Sequence, residues 1–504
     1  MIARMGTEER ERKFEAGDAV EIPDVPGTSV IDDSSVRLTA TYWDTVNKRL
    51  LRWGHTLRHR RASDGSEDGW TLKLAIPSGT NGGELRRVEI NVSGSRFYPP
   101  PAIRRLTQAF VRKGLLTPIA TITTDRHRIE LAGHEPSERV ELSDDHVSSI
   151  LSLRRGPAFR QIEVEATSTG ADELMDDVSD ALIGAGAIPT DASKLAAVLG
   201  GAPDPEIVLP RPGPDISIRD AVRFAIGSGG ERLIANDPSA RFGRDPEGVH
   251  QARVATRRLR ADLKTLEPLL DVATVDVIRD ELRWIGELLG AVRDTDVMIS
   301  SVEDIGLRLR LPPDAVSAIT SKLVKDRDLS HVALVSALTS RRYMTLLQTL
   351  IDSATAPPLA EGVDGDQRAR PRVRKLVRKS WRRLSHATHE LGDDPADAAL
   401  HEIRKRAKRA RYAAELAATA LEDKAGRFAE RLADLQDVLG DLQDAVVAEE
   451  RLAALVRDER LTPGEAFAAG RMATAYDAIR SDARRRWPAS WESARQKRLR
   501  RWLG

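Results

Sequence analysis

A segment rich in proline and glycine divides this 504-residue chain into two parts whose sequence periodicity differs. Residues 200–214 contain five prolines and three glycines, a density that neither a helix nor a central strand tolerates. Before this segment, short stretches such as 87–92 and 160–165 alternate polar and apolar side chains, which is typical of an antiparallel sheet or barrel. After it, apolar side chains recur about every 3.6 residues, which predicts helices. We therefore place a domain boundary in a linker at residues 201–214.

The composition excludes several kinds of site. The chain has no cysteine, so it can form no disulfide, no thiolate nucleophile and no cysteine-ligated metal site. The first twenty residues lack the apolar core of a signal peptide. No stretch of about 18 apolar residues occurs, so we expect a cytoplasmic protein with no membrane partner.

The near-neutral charge of the chain hides a local imbalance. The sequence has 78 basic and 77 acidic residues, which gives a formal net charge of +1. Residues 368–411, however, contain 15 basic and 5 acidic residues. Further basic residues cluster in 484–501. Such clusters suit a polyanion whose charges repeat at close spacing, so the neutral total does not exclude a polyanionic partner.

The helical part contains an internal duplication. Residues 250–260 align with 401–411 at an offset of 151, and residues 289–294 align with 439–444 at an offset of 150. Two separate blocks at nearly one offset indicate two similar sets of helical hairpins. We place the two repeats at about 215–352 and 371–502.

The first repeated block arranges its cations along one side of a helix. At about 100° per residue, positions i, i+3, i+7 and i+10 fall in one stripe. The two stripes consist of His250, Arg253, Arg257 and Arg260 in the first copy and of His401, Arg404, Lys408 and Arg411 in the second.

The cationic stripes admit two interpretations. They are either solvated or paired with acids of neighbouring helices, such as Asp294 and Asp444, or they bind a polyanion. The repetition in both halves favours the polyanion. Aromatic residues make up only 4% of the chain and do not interleave with the stripes, so phosphate binding is favoured over nucleic-acid binding.

This helical part resembles the CHAD family. The resemblance rests on the His-x-x-Arg-Val-x-x-Arg-Arg-Leu-Arg block that begins at His250, on the Gly-x-x-Arg-Asp-x-Asp block that begins at Gly290, and on their second copies. It covers residues 215–502 and implies an all-α helical-bundle domain that binds inorganic polyphosphate through basic helix surfaces. The second copy is looser, because Lys408 replaces an arginine and Gln443 stands where the first copy has Arg293.

The N-terminal part carries a charged motif of strand periodicity. Glu9, Glu11 and Lys13 alternate along the chain, so on a strand they share one face. Further alternating charged pairs occur downstream: Arg58 and Arg60, Arg87 and Glu89, Arg126 and Arg128, and Glu163 and Glu165. If these faces line one barrel interior, the lumen is wet and charged. Its cations suit a triphosphate, and its carboxylates suit a hard divalent ion such as Mg²⁺.

This motif and the pieces that follow it resemble the CYTH family of triphosphate tunnel metalloenzymes. Matching pieces occur in order over residues 5–200, among them Tyr42-Trp43-Asp44-Thr45, Trp70-Thr-Leu-Lys73, Asp145 and Ser193-Lys194. The resemblance implies an α+β multidomain chain whose first domain is an antiparallel eight-stranded β tunnel. His146 follows Asp144 and Asp145 where the family prefers a glycine, which leaves open which aspartate faces the metal.

The same resemblance implies roles for the charged residues of the tunnel. Catalytic roles fall to Glu9, Glu11 and Lys13. The residues that would bind Mg²⁺ or Mn²⁺ are Glu9, Glu11, Asp145, Glu163 and Glu165. Binding of substrate phosphates falls to Arg58, Arg60, Lys73, Arg87, Arg126, Arg128 and Lys194.

The combined resemblance leads to a functional expectation. We expect metal-dependent hydrolysis of inorganic triphosphate or a related short phosphate chain in the tunnel, with polyphosphate binding by the helical domain. One alternative is a non-catalytic polyphosphate-binding protein associated with polyphosphate granules, and a less favoured one is an adenylate cyclase. Nucleic acid is a disfavoured partner, and a homo-oligomer remains open.

Overall fold

The computed structural model describes residues 8–75, 85–133, 138–168, 170–243, 245–421, 423–457 and 461–503. The chain forms two compact units, Met1–Glu206 and Ile207–Gly504. The division between them falls within the segment that we predict to be a linker, residues 201–214.

The first unit is built on antiparallel strands, as the alternating pattern predicts. Within the described residues these are β1 (Glu8–Ala16), β2 (Ser29–Asp44), β3 (Thr56–Ala62), β4 (Asp68–Ala75), β5 (Leu85–Val92), β6 (Thr117–Ala132), β7 (Arg139–Leu151), β8 (Arg154–Arg155), β9 (Phe159–Ala166) and β10 (Ile188–Pro189). Four helices accompany them: α1 (Arg49–Arg52), α2 (Pro101–Val111), α3 (Asp172–Gly184) and α4 (Lys194–Val198).

Eight of these strands close into a ring. The hydrogen-bonded order runs β1-β5-β4-β3-β2-β6-β7, and β9 pairs with both β7 and β1 to complete the circle. The two-residue strands β8 and β10 pair only at the margins, with β7 and β1. The expected count of eight is therefore wrong for the sheet as a whole, which has ten strands in the described part of the chain. The two additional strands are short edge pairings outside the ring.

The outer face of the ring is packed with apolar side chains. Along β9, Ile162 and Val164 are fully buried, and they belong to one core cluster with Leu174, Val178 and Leu182 of α3. Because side chains alternate along a strand, this packing turns the intervening Glu163 and Glu165 to the inside of the ring. The apolar positions thus fix which face of each strand carries the charges.

The second unit consists of helices, as the 3.6-residue period predicts. Its α-helices are α5 (Ile218–Ala235), α6 (Asp237–Phe242), α7 (Pro246–Leu266), α8 (Val272–Arg308), α9 (Pro313–Thr339), α10 (Arg341–Thr355), α11 (Arg370–His389), α12 (Asp397–Leu421), α13 (Asp423–Arg457), α14 (Pro463–Ala494) and α15 (Lys497–Arg500). Two short 3₁₀ helices lie at Glu267–Leu269 and Arg501–Leu503. No helix of the described residues is both long enough and apolar enough to span a membrane.

The duplication is visible in the order of these helices. The hairpin α7–α8 of the first repeat corresponds to α12–α13 of the second, and α9 corresponds to α14. The last pair begins at Pro313 and Pro463, which are again 150 positions apart. The two repeats contact each other where α7 packs against α12. The two cationic stripes therefore lie on neighbouring helices, one on α7 and the other on α12.

Candidate functional site

The interior of the ring forms a charged cavity of about 370 Å³. Its described lining contains seven cations and seven carboxylates. The cations are Lys13, Arg58, Arg60, Lys73, Arg126, Arg128 and Lys194, and the acids are Glu11, Asp64, Glu67, Glu89, Glu141, Glu163 and Glu165. The described members of the alternating charged pairs, from five separate sequence segments, therefore face one space. Such a cavity holds water and suits a charged ligand.

Three glutamates lie side by side on neighbouring strands of this lining. Glu165 on β9 is directly opposite Glu11 on β1 and directly opposite Glu141 on β7. Burial, together with the charges of Glu11, Glu141 and Glu163, raises the pKa of Glu165 to about 7, although Lys73 opposes this shift. Glu165 forms no hydrogen bond or ion pair with any residue in the described ranges. This row thus brings three carboxylates together, of which Glu11 is also paired with Lys13.

Two residues further along β1 and β9, Lys13 and Glu163 form a second row, in which the carboxylate is paired with cations. Glu163 lies opposite Lys13 and is 2.6 Å from Nζ of Lys194 and 2.9 Å from Nη2 of Arg126. Burial alone would raise the pKa of Glu163, but Lys194, Lys13 and Arg126 together hold it well below its usual value. Lys13 also lies 2.7 Å from Glu11, which keeps the pKa of Glu11 below normal despite its burial.

The two adjacent aspartates of β7 face opposite ways. Asp145 is completely buried and accepts hydrogen bonds from Arg126, with Nζ of Lys194 at 2.8 Å. Asp144 accepts two hydrogen bonds from Arg160, at 2.8 and 2.9 Å, and Arg160 also donates to the backbone oxygen of Val20. Asp145 is therefore the aspartate that belongs with the phosphate-binding candidates, where it fixes two of them.

The remaining predicted phosphate ligands approach the cavity from the other strands. Nη1 of Arg58 lies 3.4 Å from the Tyr42 hydroxyl, and Nζ of Lys73 lies 3.1 Å from Glu89. Arg60 pairs with Glu67, and Arg128 lies 3.3 Å from Asp32 and 3.7 Å from Glu141. Arg60 and Arg128 are thus paired with partly exposed acids, which an anionic ligand could replace as partners of these cations.

Lys194 reaches the cavity from a helix rather than from a strand. Ser193 caps α4 by accepting a hydrogen bond from the backbone N–H of Ala196, which fixes the start of the helix at Lys194. By contrast, Asp44 of the Tyr-Trp-Asp-Thr piece has a local structural role. Its carboxylate accepts hydrogen bonds from the backbone N–H groups of Thr45, Leu50 and Leu51 and so holds α1.

Two predicted site residues can be placed only by their backbone. Glu9 in β1 pairs with Arg87 in β5, so the two lie directly opposite each other in the ring. Their side chains lie outside the described residues. The prediction omitted Glu141, which the structure places beside Glu165. Residues 139–143 show the same alternation of charged and apolar side chains as 87–92, so the signal was present in the sequence.

The donor set of the cavity fits a hard divalent cation. Among the residues that the structure describes, no three Asp, Glu or His side chains converge to form a metal site by themselves. Mg²⁺ does not require such a cage, because it typically takes one or two carboxylates together with phosphate oxygens and waters. The row of Glu11, Glu141 and Glu165 offers oxygen donors of this kind. CYTH domains are generally metal-dependent.

The helical unit contains a second cluster of charge, between α7 and α12. Lys408 lies half-buried within it, and its burial and the surrounding arginines lower its pKa to about 7. These arginines are Arg257, Arg404, Arg253 and Arg411. We call the five residues the Lys408 cluster. It contains members of both predicted stripes.

The acids near this cluster neutralise it only in part. Arg253 pairs with Asp294, and Arg411 lies 2.7 Å from Glu415, whereas Arg404 forms no ion pair with a residue in the described ranges. Arg257 donates to the Tyr412 hydroxyl at 2.8 Å. Burial raises the pKa of Asp444 and of Asp437, and Arg404 opposes both shifts, so these two acids also lie near the cluster. The alternative of pairing with neighbouring acids therefore describes part of the stripes, whereas Lys408 itself forms no ion pair with a residue in the described ranges.

The other three stripe residues are His250, Arg260 and His401, which are not members of this cluster. The pKa of His250 is lowered by burial and by Arg293, with a smaller effect of Arg257. Arg260 faces Arg283 and Arg279 of α8, which with burial lower its pKa. Nδ1 of His401 is buried and has no hydrogen-bond partner in the described part of the protein.

Sequence comparisons identify both units. The CYTH domain model matches residues 7–186, and the CHAD domain model matches residues 225–453. The uncharacterized protein Rv2226 of Mycobacterium tuberculosis is 30% identical over 479 residues, which are 88% of each chain. The chain belongs to the CYTH–CHAD family.

Two solved structures resemble parts of this CYTH–CHAD protein. PptA from Streptomyces chartreusis is 21% identical, with a TM-score of 0.47 over 55% of this chain and 99% of its own. The CHAD domain from the plant Ricinus communis is 25% identical, with a TM-score of 0.43 over 59% of this chain and 95% of its own.

Proposed function

We propose that the CYTH domain hydrolyses inorganic triphosphate or a related short phosphate chain with Mg²⁺ or Mn²⁺, and that the CHAD domain binds inorganic polyphosphate. The proposal of hydrolysis rests on the shared cavity, in which seven cations lie together with a row of three carboxylates. A triphosphate and a divalent cation need these two kinds of group next to each other.

The cations of the cavity would bind and orient the phosphate chain. Arg58, Arg60 and Arg128 approach from β3 and β6, and Lys73 and Lys194 approach from β4 and α4. Arginine side chains bind phosphate oxygens in pairs of hydrogen bonds, so together they would hold successive phosphates along the cavity. Asp145 and Glu163 hold Arg126 and Lys194 in position.

The carboxylate row would hold the metal ion. Glu11 and Glu165 are the described candidates from the Glu-x-Glu pairs, Glu141 adds a third carboxylate, and Glu9 extends the set from β1. When bound, the ion neutralises charge on the phosphate oxygens and activates a water molecule. Lys13, 2.7 Å from Glu11, would keep this carboxylate ionised and ready to bind a cation.

Release of phosphate from tripolyphosphate by the full chain, with Mg²⁺ or Mn²⁺ added, tests the catalytic proposal. Glu11→Gln should lower the rate at least about 100-fold, since it removes a candidate metal ligand. Asp125→Asn is the matched control, because Asp125 pairs with Arg37 in an exposed ion pair on a cavity-forming strand. Full activity of Glu11→Gln, or equal loss in the control, would contradict the proposal.

A non-catalytic role is the second candidate, and the saturation of Glu163 and Asp145 by cations favours it. Both carboxylates are already paired with Arg126 and Lys194, so fewer oxygens are free for a metal than the sequence predicts. A protein that only grips phosphate would bind tripolyphosphate in the cavity and release no phosphate with either metal. Association with polyphosphate granules would then depend on both domains binding phosphate.

The Lys408 cluster supports polyphosphate binding by the CHAD domain. Five cations converge around half-buried Lys408, whose pKa is lowered to about 7 by its burial and by the four arginines. A bound polyanion would relieve this repulsion. Binding of polyphosphate at several salt concentrations tests this part, and Arg257→Gln with Arg404→Gln should weaken it.

A further inference from the structure

Helix α11 presents a face of eight cations that the Lys408 cluster does not include. They are Arg370, Arg372, Arg374, Lys375, Arg378, Lys379, Arg382 and Arg383. Six of them are exposed, and only Arg374 and Arg378 are half-buried. No acidic residue occurs between Asp366 and Glu390. We call these eight residues the α11 face.

The α11 face differs from the other basic helices because it lacks compensating acids. None of its eight cations forms an ion pair with a residue in the described ranges. On α14, by comparison, Arg484 pairs with Asp394 and Asp397, and Arg486 pairs with Asp441 and Asp482. Arg378 donates a hydrogen bond to the backbone oxygen of Leu503, and Lys379 lies near Glu267. The other six cations repel one another over about 20 Å of helix, and a polyanion lying along them would relieve this repulsion.

The side chains of the α11 face favour an extended polyphosphate over a membrane or a nucleic acid. Most of the large apolar residues of α11 are buried in the core of the unit, namely Val373, Val377, Trp381 and Leu384, and Leu376 is half-buried. They are therefore not available to insert into a lipid surface, and the one aromatic ring among them cannot stack on bases. What remains exposed can bind only closely spaced negative charge.

A path of cations joins the α11 face to the Lys408 cluster across α12. Arg406 donates a hydrogen bond of 3.5 Å to the backbone oxygen of Arg383, which places this side of α12 against α11. Around the helix, exposed Arg409 lies between Arg406 and the stripe that contains Lys408. On the same exposed side Lys405 pairs with Glu402, so one carboxylate lies among these cations. A chain held at the Lys408 cluster can therefore extend over α12 to the α11 face.

We propose that the α11 face is a second polyphosphate-binding segment that makes the CHAD domain select long chains. The inference rests on polyphosphate binding at the Lys408 cluster. A short chain occupies that cluster alone. A long chain reaches both segments, and the second contact forms at high effective concentration because the first already holds the chain.

Binding of chains of two lengths to the full protein tests this inference. The probes are inorganic polyphosphate of about 100 phosphates and of about 5 phosphates, compared over a range of salt concentrations. The test variant is Arg372→Gln with Lys375→Gln and Arg382→Gln. The control is Lys325→Gln with Arg341→Gln and Arg471→Gln, which removes three exposed cations of other helices. Thermal unfolding checks that both variants fold.

The expected result is a loss that depends on chain length. In the test variant the Kd for the long chain should rise at least about tenfold, while the Kd for the short chain changes less than about twofold. The slope of log Kd against log salt should fall by about 2 for the long chain, from three lost contacts. Equal losses for both lengths, no loss, or the same loss in the control would overturn the inference.

Two further outcomes separate this inference from the proposed function. If the unmodified protein binds neither chain, polyphosphate binding itself fails and the inference with it. If it binds both and the test variant behaves like the unmodified protein, only the inference fails. Affinity of the unmodified protein for single-stranded DNA of the same charge should be weaker. Equal affinity, lost equally in the test variant, would overturn the assignment to polyphosphate.

Discussion

Asp145 accepts two parallel hydrogen bonds from Arg126, from Nε to Oδ1 and from Nη2 to Oδ2, each 2.7 Å long. The same carboxylate lies 2.8 Å from Nζ of Lys194 and has no exposed surface. Two candidate phosphate ligands from different parts of the chain, one on β6 and one on α4, thus depend on one buried acid for their position.

Asp145→Asn should therefore disturb both stability and phosphate binding. Removing the buried charge leaves Arg126 and Lys194 poorly compensated, and the free energy of unfolding should fall by about 3 kcal/mol. The KM for tripolyphosphate should rise at least about tenfold, because both cations lose their fixed positions. Denaturant unfolding and steady-state kinetics measure the two effects.

The neighbouring Asp144 offers a matched control for this prediction. Asp144→Asn breaks a comparable two-bond pair with Arg160, but on the face of β7 turned away from Arg126. It should cost similar stability and leave the KM unchanged. If Asp145→Asn instead raises only the metal concentration required, Asp145 acts as a metal ligand, as the resemblance implies.

A second prediction concerns Glu141, which faces Glu165 across β7 and β9. Glu141→Gln removes one oxygen anion from the proposed metal row, so the Mg²⁺ concentration for half-maximal activity should rise about tenfold. Glu130→Gln is the control, because Glu130 lies beside Arg139, 3.5 Å away, and does not line the cavity. A Glu141→Gln protein with unchanged metal dependence would remove this residue from the site.

The alternation of charged and apolar residues predicted an antiparallel sheet or barrel, and the CYTH resemblance implied a tunnel. Ile162 and Val164 pack outward, and so Glu163 and Glu165 must turn inward. Alternation could not show which acids are already neutralised, because that depends on partners far along the chain. Lys194 is 31 residues from Glu163 in sequence and 2.6 Å away in space. The two-residue strands β8 and β10 were also beyond reach, since such short segments have no detectable period.

The helical half shows a similar limit. The duplication predicted two separate stripes, and the packing of α7 on α12 joins them. A helical wheel gives the direction of Arg257 and Lys408 on their own helices. It contains no information on which helices become neighbours, so the repulsion centred on Lys408 could not be foreseen.

A third prediction follows from the pKa of Lys408, which lies near 7 in the free protein instead of near 10.5. Below pH 7 the ammonium is present for binding. Above it, a polyanion must first restore the proton, so the Kd for polyphosphate should rise by up to about tenfold per pH unit above pH 7. In the absence of ligand the folded state binds fewer protons than the unfolded chain between pH 7 and 10.5. This group should therefore increase the free energy of unfolding as the pH rises through that range.

Lys408→Arg distinguishes this effect from a general pH dependence. An arginine side chain stays charged over this pH range, and the first repeat has an arginine, Arg257, at the corresponding position, so the rise in Kd above pH 7 should flatten. Lys405→Arg, on the exposed side of the same helix, should keep the profile of the unmodified protein. Identical profiles for Lys408→Arg and the unmodified protein would show that Lys408 does not titrate during binding.

The last prediction concerns Gly440 of the repeated block at 439–444, which lies beneath Arg404 of the block at 401–411. A Cβ on Gly440 would lie 3.6 Å from Nη2 of Arg404, and one on Gly290 would lie 3.7 Å from Cζ of Arg253. Both repeats thus seat a stripe guanidinium over a helical glycine, which explains why the two sequence blocks recur together. Gly440→Ala makes an ordinary contact and should stabilise the helix by up to about 1 kcal/mol.

Gly440→Leu should displace Arg404 and raise the Kd for polyphosphate about tenfold, a cost of about 1.4 kcal/mol. Gly426→Leu on the same helix is the control, because a Cβ there meets nothing within 4 Å. The measurement is polyphosphate binding by the three full-length variants, with thermal unfolding in parallel. If Gly440→Leu binds as tightly as Gly440→Ala, the position of Arg404 over the glycine does not matter for binding. If Gly426→Leu loses as much as Gly440→Leu, the effect belongs to helix α13 as a whole and not to this contact.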